Sequence, residues 1–525
     1  MKISDYHGFK LRDQYKILFI VIISFFLRAY GLNFGLGFAE SRPDETIAMH
    51  NALRYGTGDL NPHDFHWPSL FSYLLFILYG AYTALAFLFG HFSSWEGVIK
   101  EITFDPVNFL LISRLVSVIC SSISVYLIYK IGVCFYKNKL AGIIAAIFLG
   151  FTYLDVRNSH FGTPDSLMVL LVMCTIYFIC RTHDNPALKN YLCTGAAYGL
   201  AVSAKYNAVF LVAPLIIMQY LICKKNQAGY FTKNIFFLGF FTLIAFTLGT
   251  PFWIIDFPAF FSDVTFEIRH LINGHEGIVL GRGWWYHLKF SLWYGMGPVL
   301  LALSLAGLIR LFLRDVKKSL LVFSFPLVYY VFFGYGYTVF VRHMLPILPF
   351  AALSAALLVT GLFKKHRFFA IILVGLTVLF PLSNAIQFDN IINKKDNRVI
   401  AAQWIEKNIP VGSSIGFAGS KYSRIKLPEG YRLSQIYESL SGQETEVSIN
   451  QPIYLIVERS PLFFYSYIPD NLNNIIKEKY RILKAFFAES GNKGIYDQQD
   501  AFYIPYAGFS KVIRPGPDIL IYIRK

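Results

Sequence analysis

Charged side chains are scarce in this sequence. Asp, Glu, Lys and Arg make up 15% of its 525 residues, where a soluble domain usually carries about a quarter. That supply cannot cover a water-facing surface of this size, which excludes an ordinary soluble protein. Cysteines are few as well. Cys120, Cys134, Cys174, Cys180, Cys193 and Cys223 lie in or beside apolar runs, and none falls in 39–107 or after 388. This excludes a disulfide framework and a CxxC metal site and leaves them as packing residues. Walker A, GxSxG and HExxH sequences are missing, as is a dinucleotide fingerprint in a strand–turn–helix setting. A soluble nucleotide donor therefore has no support. Heptads, low-complexity tracts and short repeats are also absent.

What is present is apolar. The chain is 55% hydrophobic and 18% aromatic, with a mean hydropathy of +0.47. Stretches such as "YKILFIVIISFFLRAYGLNFGL" and "IFFLGFFTLIAFTLGTPFWII" reach the roughly 18 to 20 apolar residues that a bilayer core demands. The sequence describes a polytopic α-helical membrane protein. Its net charge of +16 would point to nucleic acid in a soluble chain. Here Lys and Arg gather in short loops between apolar runs, as the positive-inside rule expects, so no nucleic-acid partner is implied. Lys10, Arg12 and Lys16 before an apolar run, then Gly37-Phe38-Ala39, also resemble a signal peptide with its cleavage site. The run is long for a signal, however.

The basic clusters are Lys10/Arg12/Lys16, Lys130/Lys137/Lys139, Arg181/Lys189, Lys224/Lys225/Lys233, Arg310/Arg314/Lys317/Lys318 and Lys364/Lys365/Arg367. Placing them all on the cytoplasmic side requires two crossings between neighbours. Spans near 17–36, 108–130, 139–154, 166–181, 191–206, 208–223, 234–254, 288–309, 319–333, 344–362 and 368–387 satisfy that rule, about eleven in all. The apolar run 69–90 is left over. Either it lies in the outer leaflet, as a membrane-parallel part of a first external loop 37–107, or it crosses and two of the short spans merge. The membrane domain thus covers 1–387.

From 388 to 525 the pattern becomes that of an α/β domain outside the membrane. "NRVIAAQWIEKNIP" reads as an amphipathic helix ended by Pro410. "SSIGFAG", "QPIYLIVERS" and "PDILIYIRK" read as strands. "NNIIKEKYRIL" reads as a helix running into a strand.

Charges at a bilayer edge are costly and attract functional hypotheses. Asp44 and Glu45 follow the first span in "RPDETIAMHNALRYG". They fit a general base with a neighbouring acceptor-binding carboxylate, or simply acids at a helix start, with Ser41 as the cap. "YLDVRNSHFGTPDSLMVLL" holds Arg157 and His160, suited to an anion, and Asp165, which also suits a helix start. Lys205 and the Arg342-His343 pair stand at outer helix ends. They either snorkel to the interface or bind a lipid-linked phosphate, with His343 assisting Arg342. Glu267, Arg269, His270, His275, Glu276 and Arg282 are too loosely spaced to define a metal site.

These strings, in this order, resemble the GT-C superfamily of integral-membrane glycosyltransferases over about 15–390. The branch they are most similar to contains protein O-mannosyltransferases and bacterial lipid A aminoarabinose transferases. The resemblance rests on "RPDETIAMHNALRYGTGDL", "HWPSLFSYLLFILYG", "SRLVSVICSSISVYLIYKIG", "LAGIIAAIFLGFTYLDVRNSHFGTPDSLMVLL", "GLAVSAKYNAVFLVAPLII" and "FVRHMLPILPF". It implies that Asp44 is the catalytic acid with Glu45 beside it, that Asp165 is the acid of the second external loop, and that Lys205 and Arg342 meet the donor phosphate. It also implies membrane-parallel helices in the first external loop. Two positions depart from the family pattern: Pro68-Ser69 replaces a Pro-Pro, and His343 stands where Tyr is commoner.

The implied activity is inverting transfer of a sugar from a polyprenyl monophosphate donor to an extracytoplasmic acceptor, with no nucleotide and no obligatory metal. The acceptor class stays open between protein, lipid and glycan, and the implied location is the bacterial inner membrane. A non-catalytic or transport subunit of an envelope polysaccharide system, or a ligase using diphosphate-linked glycans, are the alternatives.

Overall fold

The computed structural model describes residues 11–36, 41–227, 229–275, 277–427, 429–439, 452–491 and 494–525. Lys10, Gly37-Phe38-Ala39 and Glu276 of the sequence reading fall outside them. The membrane part runs through α1 (Leu11–Ala29), α2 (Pro43–Arg54), α3 (Leu70–Leu88), α4 (Trp95–Phe104), α5 (Val107–Tyr136), α6 (Lys139–Gly150), α7 (Tyr153–Ser159), α8 (Asp165–Asp184), α9 (Leu188–Ala204), α10 (Val212–Asn226), α11 (Lys233–Gly249) and α12 (Phe257–Asn273). Helices Pro298–Arg314, Val316–Tyr335, Leu348–Phe363 and Arg367–Ile392 complete it.

The protein is an integral membrane protein. Among the described residues, seven helices are long and apolar enough to cross a bilayer, or up to nine if each of two bent pairs counts as one span. This differs from the expected count of about eleven. Helices α9 and α11 have 17 residues each, just short of a full crossing. The run expected as one span at 288–309 is broken: Gly283–Met296 and Pro298–Arg314 meet at 115°. Gly297 sits there at φ +83, a conformation glycine adopts freely, and Pro298 can only begin the next helix. The 139–154 run is likewise bent by 59° between α6 and α7.

By length and composition α3 is one of the seven. Its contacts tie it to one face of the bundle. The Ser69 N–H just before it reaches Thr250 Oγ1 at 3.4 Å, beyond the end of α11. Towards its other end, Tyr82 accepts a 2.8 Å hydrogen bond from Asn108 at the start of α5.

Small residues set how closely α9 and α11 approach. A Cβ on Gly195 would meet Leu238 O at 2.3 Å, and one on Gly199 would meet Thr242 O at 2.2 Å. This small-xxx-small contact leads to a 2.7 Å Ser203–Thr250 hydroxyl bond, two residues before Lys205.

The C-terminal domain is a five-stranded sheet of order β2-β1-β3-β5-β4, with β1 (Ser414–Ala418), β2 (Arg432–Tyr437), β3 (Tyr454–Arg459), β4 (Tyr480–Phe486) and β5 (Asp518–Arg524). Strand β1 is parallel to β2 and β3. Strand β5 is antiparallel to β3 and β4. Alternate residues point to opposite faces, so each face takes its own helix. Ile415, Phe417, Ile456, Ile519 and Ile521 pack with Ala401 and Ile405 of helix Asn397–Asn408. Leu455, Val457, Leu520 and Tyr522 pack with Leu472 and Ile476 of helix Asp470–Lys479. The segment 497–509 leaves this domain and packs into the core of the helical domain. There Phe502, Ile504, Tyr506 and Phe509 share one buried cluster with Phe34, Phe161 and Phe388.

Candidate active site

Helix α2 begins with Pro43 in its first turn, with Arg42 at the N-cap and no side chain capping it. The Ser41 hydroxyl is buried without a partner, so Ser41 is not the cap, and Asp44 and Glu45 diverge at once. Successive helical residues point about 100° apart. Glu45 turns inward and is fully buried. It takes a two-pronged bond from Arg114, Nε to Oε1 at 2.8 Å and Nη2 to Oε2 at 2.7 Å, plus the Gly162 N–H at 2.8 Å. Arg114 also donates to the carbonyls of Leu32 and Phe34 at 2.6 and 2.7 Å. Glu45 therefore fastens α2 to the end of α1, to α5 and to the loop before α8, rather than facing an acceptor.

Asp44 faces a cavity of about 770 Å³. Its Oδ2 lies 3.1 Å from Arg342 Nη1 and 3.5 Å from Arg42 Nη2. Lys205, Arg342 and His343 line the same cavity, together with an apolar wall of Val202, Phe210, Phe246 and Phe332. The Arg342 guanidinium lies over Phe340, 4.0 Å from the ring centroid. His343 is half-buried and packs against Phe333, ring centroids 4.9 Å apart.

Asp165, Arg157 and His160 do not reach the cavity wall. Asp165 stands directly behind it, binding Lys205 Nζ at 2.6 Å and accepting from Thr163 Oγ1 at 3.1 Å. Arg157 is enclosed by the rings of Phe161, Phe388, Phe502 and Tyr506 at 5.2 to 5.9 Å. His160 is buried, with one ring nitrogen 2.9 Å from Val156 O and the other 2.9 Å from Tyr30 O. It joins α7 to the end of α1.

The C-terminal domain supplies groups the sequence reading missed. Asp500 accepts a hydrogen bond from Arg42 Nη1 and lies 3.9 Å from both Arg157 Nη2 and Arg342 Nη1. Asp497 accepts the Val341 N–H at 3.1 Å. Gln499 accepts the Val339 N–H at 2.6 Å and donates to Ile278 O and Tyr337 O at 2.9 and 3.0 Å. The visible signal was two acids inside an aromatic string, "YDQQDAFYIPYAGF". Burial pushes the Asp500 carboxyl up, but the guanidiniums of Arg42, Arg342 and Arg157 outweigh it and hold it below the ordinary range. Asp497 is raised, first by burial and then by Asp500.

The outer rim is polar. Asp64, His66, Glu267, His270 and His275 all face the cavity. His270 Nε2 and His275 Nδ1 are 2.9 Å apart, and His275 Nε2 lies 3.4 Å from the Tyr465 hydroxyl. Burial, then the charges of His270 and Arg342, push His275 down to about 4. Burial raises Glu267. Among the described residues, one group brings three potential metal ligands together: Asp64, His66 and Asp263, whose ligand atoms lie within 4.8 Å of one another. His66 and Asp64 are already paired at 2.8 Å, and Asp263 already accepts the Phe65 N–H at 2.8 Å.

Comparisons with known proteins agree with this architecture. Residues 110–255 match the family model described as dolichyl-phosphate-mannose-protein mannosyltransferase. The oligosaccharyltransferase of Archaeoglobus fulgidus in its apo form aligns over 97% of this chain and 89% of its own, with 11% identity and a TM-score of 0.52. ArnT from Cupriavidus metallidurans in the apo state aligns over 96% and 97%, with 11% identity and a TM-score of 0.50. AglB from Archaeoglobus fulgidus, solved with an inhibitory peptide and a dolichol-phosphate, aligns at 12% identity and a TM-score of 0.47 over 76% of this chain. The chain spans 58% of that protein's length. No curated protein sequence matches. The chain thus shares the fold of the oligosaccharyltransferase and ArnT structures, and its segment 110–255 is similar to the protein mannosyltransferase family model.

Proposed function

We propose that the protein moves a sugar from a polyprenyl monophosphate carrier to an acceptor on the extracytoplasmic face, by inverting transfer, in a bacterial inner membrane. One observation carries this reading. A carboxylate, Asp44, and a guanidinium, Arg342, stand 3.1 Å apart in a cavity whose other wall is apolar.

Asp44 takes or orients the proton of the acceptor hydroxyl or amine as that atom attacks the anomeric carbon. The bond from that carbon to the phosphate oxygen breaks on the opposite side. Arg342 and Lys205, both partly buried, stabilise the charge gathering on the departing phosphate. Asp165 holds Lys205 in place. The apolar wall suits the first units of the lipid. Glu45 and His160 hold the backbone around the reaction, and Arg157 packs among aromatic rings beside Asp500; none of the three lines the cavity. No metal is required for charge neutralisation where two cations already face the phosphate. The family match supports the phosphate-linked donor, since the family model is described by a dolichyl-phosphate-linked sugar.

The test is donor choice. Purified protein in liposomes is offered radiolabelled sugars linked to polyprenyl monophosphate, polyprenyl diphosphate or a nucleotide, with membrane extract as the acceptor source. Transfer from the monophosphate alone is the expected result. Transfer from the diphosphate alone contradicts the proposal.

A further inference from the structure

We propose that Asp500 is a positioning residue for this transfer: it takes the hydrogen bond of Arg42 and so leaves Arg342 as the closer partner of Asp44. The inference rests on the reading of Asp44 as the base. Asp500 belongs to the C-terminal domain, yet its carboxylate stands among three arginines of the membrane domain, hydrogen-bonded to Arg42 and 3.9 Å from Arg157 and Arg342.

Arg42 is buried, 2% exposed. Besides Asp500, its carboxylate neighbour is Asp44, at a distance of 3.5 Å. A buried charge stripped of its partner is strongly unfavourable, so without Asp500 the guanidinium turns to Asp44. A carboxylate held by two guanidiniums is a poorer proton acceptor than one held by one.

The contact is built rather than incidental. Asp497 and Gln499 bind the backbone N–H groups of Val341 and Val339, which registers the loop against the irregular segment leading into Arg342. Phe502 lies 5.5 Å from the Arg42 guanidinium and 5.2 Å from that of Arg157. The C-terminal domain thereby places a working side chain in the site, which gives its docking onto the membrane domain a catalytic purpose.

The experiment compares wild type, Asp500→Asn, Asp500→Glu and the double variant Arg42→Gln/Asp500→Asn. Each is read by kcat and donor KM for transfer, by binding of undecaprenyl phosphate alone, and by thermal midpoint in detergent. Asp500→Asn is expected to lower kcat by about tenfold or more, with undecaprenyl phosphate bound as tightly or tighter, because a negative charge near Arg342 is gone. Asp500→Glu keeps the rate within about threefold, and the double variant regains most of the lost rate as a coupled pair does. If Asp500→Asn fails to fold, the double variant, which removes both buried charges, carries the test. Parallel loss of binding and rate in Asp500→Asn, full activity of that variant, or no recovery in the double variant overturns the proposal. A wild type that transfers no sugar overturns the base reading and this proposal with it, and so differs from an active wild type matched by an equally active Asp500→Asn.

Discussion

Asp44 and Arg342 meet at 3.1 Å, one from the first turn of α2 and the other from the short helical turn that opens Leu348–Phe363. The pair places proton acceptance beside phosphate departure. Arg342→Gln should lower kcat by about a hundredfold and weaken binding of polyprenyl phosphate. Arg342→Lys should recover little, since a point charge cannot reproduce the planar fork. Steady-state rates with a labelled donor check both, and a variant with unchanged rate and binding contradicts the role.

Glu45 predicts a different phenotype from its neighbour. Removing one partner of a buried ion pair costs about 3–5 kcal/mol. Glu45→Gln should therefore lower the thermal midpoint and yield in detergent, with whatever protein folds keeping much of its rate per molecule. A stable but inactive Glu45→Gln protein would return Glu45 to the chemistry.

Sequence legibility follows from how local each feature is. Apolar length and basic loops marked the membrane class, and alternation marked β1, β3 and β5, because these signals sit within a few residues. Asp44, Lys205 and Arg342 were legible as charges at helix ends. The roles of Glu45 and His160 were not, because adjacent acids look alike until the helix turn sends one inward. Asp500 showed only as one of two acids in an aromatic string, since its contacts come from a docked domain far along the chain. The break at Gly297-Pro298 was written in the sequence as a breaker dipeptide, and apolar length alone passed over it.

Acidification should loosen the junction between the outer loop and the C-terminal domain. His275 falls from 6.5 to about 4 on folding. Between those values the unfolded chain binds the extra proton and the folded one does not, so stability falls as pH drops from about 6.5 towards 4. His270, bonded to it, is lowered in the same direction, first by burial. Carboxylates titrate in part of this range, so the comparison is with His275→Phe. That variant should show a shallower loss of thermal midpoint from pH 7 to pH 5, and an identical slope contradicts the assignment.

Chelation should leave transfer within about twofold of the untreated rate, because Lys205 and Arg342 supply the cationic charge that a metal would otherwise bring. Activity measured before and after EDTA checks this. Loss that is restored by a divalent ion, and abolished in His66→Ala, would identify Asp64, His66 and Asp263 as a working metal site.

Tight helix packing should matter for Lys205. Gly199→Val places a side chain 2.2 Å from Thr242 O, so α9 and α11 must separate and the end of α9 must move. The expected outcome is a lower thermal midpoint together with a weaker grip on polyprenyl phosphate. Unchanged binding would show that Lys205 is positioned independently of this contact.

The most direct test of the account is sugar transfer from a polyprenyl monophosphate donor by wild type and Asp44→Asn at equal expression. Wild type should transfer, and the variant should lose at least about a hundredfold, as loss of a general base predicts, while still binding undecaprenyl phosphate. An Asp44→Asn protein with full activity would contradict the account and leave the acid behind Lys205, Asp165, as the place to look.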